Sequence, residues 1–377
     1  MRVGAFVHLH RTLHKKGQTG AGKHIDNLVP RLAAFSDIDL TVLAARDNLA
    51  ANGQIPPESS LAGMPTCPIR WPRRWVEICW SIFDFPAIER WSGRLDWVYC
   101  PVEAYIATRS ARLAVTLHTV HWFEKDLPGY QSWALRRSRW VFTPRFARMR
   151  RHADALFTVS EFLSWRLARL CGFPFKRLVV VGNGVEEAYY DPPNELNPHL
   201  ANLIAGRPYL LVVGELQYLK GIDHYLALAA ELRRRNSDLM IVVAGDTDDH
   251  NRQILSECSN IVQLGYVGIY DGLPALMKCS VALLFLSRYE TFGIPAAEAM
   301  AAGTPAVVST AGALPEVVGN AGLIVDPNRT AEIADIVSQL HQDERFRNEW
   351  IARGRQRAES FRWQRCAERV REALRNF

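Results

Sequence analysis

The sequence predicts an α/β protein made of two Rossmann-like domains in series. Its 377 residues exceed what one ordinary core fills. Short apolar, β-branched runs alternate with helical patterns through both halves, as the strands and crossover helices of parallel sheets do. Between the two series, Asp191-Pro192-Pro193-Asn194 stops any regular element and reads as a linker. Hydrophobic residues at 48% and charged ones at 22% fit a globular chain and exclude a disordered one.

The first half opens on a strand over residues 3–8, followed by a Gly/Lys loop. Ile25, Leu28, Val29 and Leu32 then recur at helical spacing, and 40–44 reads as the next strand. Residues 48–70, rich in Pro and Gly, read as loop. Further strands are expected at 97–99, 113–117, 155–159 and 178–181. The second half predicts strands at 209–213, 239–244, 261–264, 281–286 and 305–309, with helices over 221–235, 273–277 and 295–302. Open α/β sheets bind ligands beyond the carboxyl ends of their strands, so two such domains predict a cleft between those ends.

No apolar run approaches the ~20 residues of a membrane span, and the apolar run at residues 3–7 is too short for a secretory signal. A cytoplasmic location is expected. The seven cysteines, at 67, 79, 100, 171, 258, 279 and 366, show no Cys-x-x-Cys spacing, which speaks against a disulfide framework or a zinc site. The net charge of +6 conceals an asymmetry, because residues 1–190 hold 26 Lys+Arg against 16 Asp+Glu. Seven arginines and no acid fall within 133–152, interleaved with Trp133, Trp140, Phe142 and Phe146. Arg70-Trp71-Pro72-Arg73-Arg74-Trp75-Val76 is a second such cluster. Mixtures of this kind fit nucleic acid, an anionic membrane surface, or a solvated helix face whose stems cover the core.

The densest chemical information lies between residues 210 and 320. Gly214-Glu215-Leu216-Gln217-Tyr218-Leu219-Lys220-Gly221 follows a strand and opens a helix. The glycine permits a tight turn, and Lys220 brings positive charge beside free N–H groups, an arrangement that suits a diphosphate. Such junctions are common, and the second string is more specific: Glu290-Thr291-Phe292-Gly293-Ile294-Pro295-Ala296-Ala297-Glu298, running on to Gly303-Thr304-Pro305. Glu290 falls in the loop after a strand, Gly293 allows close backbone approach, Pro295 marks the first helical turn, and Glu298 lies about one turn inside. An acid on each side of a phosphate held by the helix N-terminus can grip hydroxyls, those of a sugar ring and of a ribose. Either glutamate alone reads more simply as an acid steadied by the helix dipole. The whole string does not.

This string resembles the paired-glutamate motif of retaining glycosyltransferases of the GT-B fold, particularly glycosyltransferase family 4 (glycosyl transferases group 1). Ser287 precedes the string and Gly312–Val318 and Ala321–Pro327 follow it in the family's order, and Asn183-Gly184-Val185, Val159-Ser160-Glu161 and Leu117-His118 match upstream. The resemblance implies an acceptor domain over 1–190, a donor domain over 200–358, and a terminal helix at about 360–377 that packs back on the first domain. It implies that Lys220 contacts the donor diphosphate, Glu290 the transferred sugar and Glu298 the ribose. Gly214 and the backbone around Phe292, Gly293 and Ile294 complete the donor site, and His118 stands beside the reacting face, so that His118, Glu290 and Lys220 form the catalytic set. One position departs: Glu215 occupies the place where the family usually has an arginine, removing a cation from the diphosphate.

Residues 17–23 fit Walker A spacing as far as Lys23, but His24 stands where a Ser or Thr would bind magnesium. The better match is the family's Gly-x-Gly-basic-aromatic loop, Gly20-Ala21-Gly22-Lys23-His24, which would suit a phosphate-bearing acceptor. Asp37-Ile38-Asp39 and Asp246-Thr247-Asp248 resemble the metal-binding acid pairs of the other large glycosyltransferase fold, which the double Rossmann pattern argues against. No metal or other cofactor is expected, and His121 reads as structural. The expected reaction moves a hexose from a UDP- or GDP-sugar to an acceptor hydroxyl with retained configuration. The acceptor would be a sugar or a lipid-linked precursor at an anionic membrane surface met through Arg136–Arg151, with no nucleic acid partner. The rival readings are a nucleotide-sugar 2-epimerase, a P-loop nucleotidase and a non-catalytic nucleotide-sugar-binding protein.

Overall fold

The structure, a computed structural model, describes residues 1–9, 20–128 and 130–377. Two compact units divide the chain: Met1–Gly184 with Trp363–Phe377, and Val185–Arg362.

The first unit holds strands β1 (Arg2–Phe6), β2 (Asp39–Ala45), β3 (Thr66–Ile69), β4 (Trp97–Cys100), β5 (Arg112–Leu117), β6 (Ala155–Thr158) and β7 (Leu178–Val180). They form one parallel sheet in the order β3-β2-β1-β4-β5-β6-β7, with Val3 facing Leu40 on one side and Trp97 on the other. Helices α1 (Gly20–Ala33), α2 (Arg73–Phe83), α3 (Glu89–Ser92), α4 (Trp133–His152) and α5 (Glu161–Cys171) supply the crossovers. Strands covered on both faces read as continuous apolar runs, and β4, β5 and β6 are buried almost throughout. β3 lies in the stretch expected to be loop. It is a four-residue edge strand containing Pro68, too short and too interrupted to show a period.

One further expectation changes. The Gly-x-Gly-basic-aromatic stretch forms the first turns of α1 rather than a loop, because the buried face of that helix begins at Ala21 and continues through Ile25, Leu28 and Leu32. Gly17, Gln18 and Thr19, which open the Walker-like spacing, lie outside the described residues. The arginine-rich segment is a helix, capped by the Ser132 side chain accepting from the Leu135 N–H at 3.3 Å. Phe146 and Met149 fasten it to the core, and Trp122 stacks on Phe142 at 3.7 Å.

The second unit repeats the plan with β8 (Tyr209–Val213), β9 (Met240–Ala244), β10 (Ile261–Gly265), β11 (Ala282–Phe285), β12 (Ala306–Ser309) and β13 (Leu323–Val325), parallel in the order β10-β9-β8-β11-β12-β13. Its helices are α6 (Pro198–Ile204), α7 (Ile222–Arg234), α8 (Asp249–Ser256), α9 (Leu273–Lys278), α10 (Ile294–Ala302), α11 (Leu314–Val318), α12 (Thr330–Gln342) and α13 (Glu344–Ala358). The chain enters this unit at Val185, ahead of the expected prolines. Val185 N–H donates to Phe361 O at 2.8 Å and the Tyr190 hydroxyl to Ala358 O at 2.9 Å, which ties residues 185–190 to the second unit. The last helix, α14 (Trp363–Asn376), returns to pack on α1 and buries Trp363, Cys366, Val370 and Leu374.

The acid pairs have local work. Asp37 accepts from Arg371 Nε at 2.8 Å, and Asp248 caps α8 by accepting from Asn251 N–H at 2.8 Å. Among the described residues no group of three or more His, Cys, Asp or Glu gathers to hold a metal.

Candidate functional site

In the second unit the turn after β8 carries Gly214 and then Glu215, which is exposed and forms no ion pair among the described residues. A short 3-10 turn over Tyr218–Lys220 follows, and Lys220 Nζ donates to Glu290 Oε1 at 2.5 Å. Lys220 also lies 5.4 Å from the Phe285 ring centroid, so its charge sits against an aromatic face at the end of β11. Beside it, Arg288 N–H donates to Leu219 O at 2.8 Å, and the Arg288 guanidinium grips Asp223 at 2.6 and 2.7 Å. The cation next to the Lys220 turn is therefore already engaged.

The loop from Ser287 to Gly293 leads into α10, with Gly293 at its N-cap and Ile294-Pro295 in its first turn. Phe292 is buried and meets Phe361 edge-on at 5.7 Å, which turns the loop backbone rather than the ring outward. Glu298 lies one turn into α10 and is 2% exposed. Tyr189 faces it from the segment entering the unit. Burial drives the Tyr189 hydroxyl well above its usual range, and the neighbouring Glu298 carboxylate adds to the effect. Thus Lys220, Glu290, the Phe292–Gly293 backbone and Glu298 line the carboxyl edge of β8 and β11. Sequence reasoning missed Tyr189, whose partner depends on the fold of the distant α10.

A second support is Gly312, at φ +59°. A Cβ there would lie 2.0 Å from Glu290 O and 2.9 Å from Glu290 N, while Ala313 N–H donates to Glu290 O at 2.9 Å. The loop after β12 therefore sets the height of Glu290. Gly312→Ala is expected to lower kcat/KM by about tenfold or more, beyond the ~1–3 kcal/mol of backbone strain. Gly206→Ala, at φ +69° with open space around it, should lose stability only. Equal kinetics for the two variants would refute the positioning role.

In the first unit the carboxyl edge carries His8 after β1, Glu103 after β4 and His118 after β5. His118 N–H donates to Glu103 Oε1 at 2.7 Å, and His118 Nε2 donates to Pro101 O at 2.9 Å, which orients the ring. His24 is fully buried, with Nδ1 3.2 Å from Asn183 Oδ1 and its ring 5.0 Å from that of His118. Burial, reinforced by His118, holds the His24 imidazole well below its usual value and keeps it neutral. His24, expected on the acceptor side, is thus packed against His118. Gly20, Gly22 and half-buried Lys23 stand at the start of α1. His121 is oriented by Thr119, with Nδ1 2.8 Å from Thr119 Oγ1.

Comparison with known proteins fits this arrangement. The family profile described as Glycosyltransferase Family 4 matches residues 18–189, and that described as Glycosyl transferases group 1 matches 199–357. The chain is 30% identical over 298 residues to O-antigen chain mannosyltransferase B of Escherichia coli, across 74% of this chain and 75% of that protein. The chain is a family 4, group 1 glycosyltransferase. The fold of this glycosyltransferase is GT-B. Over 100% of its length it superposes on sucrose-phosphate synthase from Thermosynechococcus elongatus, with a TM-score of 0.74, 18% identity and 98% of that chain covered. It likewise covers 100% of Anabaena HepE, solved in complex with UDP and glucose, with a TM-score of 0.70 at 15% identity over the whole chain.

Proposed function

We propose that the glycosyltransferase moves a hexose from a UDP- or GDP-sugar to an acceptor hydroxyl with retained anomeric configuration. The observation that carries the donor half is the Lys220–Glu290 pair beside the N-terminus of α10, with Glu298 one turn further on. When a donor diphosphate enters, its charge competes with Glu290 for Lys220, and the freed carboxylate is left to accept from sugar hydroxyls. Glu298 takes the ribose hydroxyls, and the Phe292, Gly293 and Ile294 amides with the Gly214 turn cradle the phosphates. As the bond from C1 to the phosphate breaks, Lys220 and the helix amides stabilise the departing nucleoside diphosphate without a metal. The family resemblance assigns His118, fixed by Glu103 and Pro101, to the transferred sugar, and Gly20, Gly22 and Lys23 to the acceptor.

The name of the Escherichia coli relative, an O-antigen chain mannosyltransferase, supports a polysaccharide acceptor, and a lipid-linked precursor is our reading of the basic, aromatic surface of the first unit. We place the enzyme on the cytoplasmic side, peripheral to the membrane through the basic helix α4. No helix among the described residues is long and apolar enough to cross a membrane. The test is a thermal-shift panel of UDP, GDP, ADP and their sugar conjugates on the wild type, Lys220→Ala and Glu298→Ala. One nucleoside diphosphate should stabilise the wild type alone. Stabilisation that survives in both variants would remove the donor site from this edge.

A further inference from the structure

Helix α2 buries Val76 and Trp80 and turns a second set of apolar side chains outward. Its polar Glu77 and Ser81 are buried, Glu77 lying 2.7 Å from both His8 Nε2 and Arg145 Nη2. Its other large apolar side chains point to solvent: Trp75 is 65% exposed, Ile78 43%, Ile82 53% and Phe83 69%, and Phe85 just beyond is 57% exposed. Positions 75, 78 and 82 fall on one side of a helix, with 83 at its margin, so these form a continuous stripe rather than scattered contacts. A contiguous apolar face of this kind marks a surface that something covers.

The neighbouring helix says what. Arg148 Nη2 donates to Ile82 O at 2.7 Å, and Arg145 reaches Glu77, so α4 lies directly against α2. Opposite its buried Phe146 and Met149, α4 exposes Trp133 at 74% and Trp140 at 81%, together with Arg136, Arg137, Arg150 and Arg151. It contains no acid. Tryptophan with arginine is the pairing found where an apolar layer meets charged headgroups. A second copy of the same surface would bring two arginine-rich helices together, which like-charge repulsion opposes, whereas anionic headgroups complement them.

We propose that the outward face of α2 inserts into the interfacial layer of an anionic lipid bilayer, with the exposed arginines of α4 held on the headgroups beside it. The proposal deepens the reading of a lipid-linked acceptor and rests on it only for what the bilayer delivers. His8, at the carboxyl end of β1, ties α2 to the same sheet edge that carries His118, so the inserted helix is fastened to the acceptor side of the enzyme.

The experiment is cosedimentation of the full chain with vesicles of phosphatidylcholine alone, and with vesicles of phosphatidylcholine and phosphatidylglycerol in equal parts. Variants are the triple substitution Ile78→Ser/Ile82→Ser/Phe83→Ser and the double Arg136→Glu/Arg137→Glu; all five side chains are exposed. Wild type should bind the anionic vesicles at least about tenfold more tightly than the neutral ones. The triple variant should lose about tenfold or more of that binding while its Tm stays unchanged. The double variant should lose chiefly the salt-sensitive part. Equal binding to both vesicle types, or wild-type binding by the triple variant, would overturn the proposal. So would a wild-type dimer that ignores vesicles and dissociates in the triple variant. Nucleotide thermal shifts on the same samples separate the readings: an intact donor response without vesicle binding sinks this proposal alone.

Discussion

Lys220→Ala is expected to lower kcat/KM by about 10²–10³-fold, the scale for removing one preorganised charge from a leaving group. Lys220 is paired to Glu290 at 2.5 Å, with the two side chains 35% and 12% exposed. The pair keeps the cation aimed at the α10 edge before the donor arrives. Its full effect belongs to the transition state, where the nucleoside diphosphate carries away the electrons of the broken bond. Turnover should therefore fall along with donor affinity. The missing arginine at position 215 sharpens the expectation. With Glu215 exposed and Arg288 engaged by Asp223, Lys220 has no obvious understudy at this turn. Glu290→Gln in the Lys220→Ala background should add less than it costs alone, since the two act as a unit. Steady-state kinetics of the two single variants and the double variant test this. Strict additivity, or a loss of only a few fold at Lys220, would sink the role.

Glu77→Gln is expected to destabilise the first unit by ~3–5 kcal/mol at neutral pH, the usual cost of breaking a buried ion pair from one side. Glu77 is 2% exposed and accepts from Arg145 at 2.7 Å and from Arg73 at 3.2 Å, with His8 at 2.7 Å. Burial alone would raise its carboxyl, but His8, Arg145 and Arg73 together hold it far below the usual carboxylate range. A depressed folded-state value means that the stabilisation is fully present above the unfolded value of about 4.3. It drains away as the pH falls through the folded range. The gap between wild type and variant should therefore be widest near neutrality and narrow progressively below about pH 4. Urea midpoints at several pH values measure the gap, and hydrogen exchange over 73–83 shows whether α2 is the element released. A gap independent of pH would refute the ionised network.

Much of the architecture was legible in the residues. The expected strands of both halves form within a residue or two because each is a short apolar run bounded by breakers. Glu290, Gly293 and Glu298 occupy a loop, a helix cap and a helix interior, as their spacing implies. The differences have separate causes. β3 was too short to show a period, and the start of α1 was masked by glycines that favour loops. In α2 the apolar arc is wider than the part that Val76 and Trp80 bury, and a linear pattern does not say which part of it stays outside.

The order of elements and the spacing of the donor motif are local properties of the chain and can be read along it. Tertiary structure decided which residues meet. Lys220 finds Glu290 because β8 and β11 pair side by side, and Gly312 supports Glu290 because β12 lies next to β11. Glu77 finds His8 and Arg145 because α2 and α4 pack against each other at the carboxyl edge of the sheet. Strand order and crossover geometry set those meetings, and a linear pattern that specifies a face cannot specify what lies opposite it.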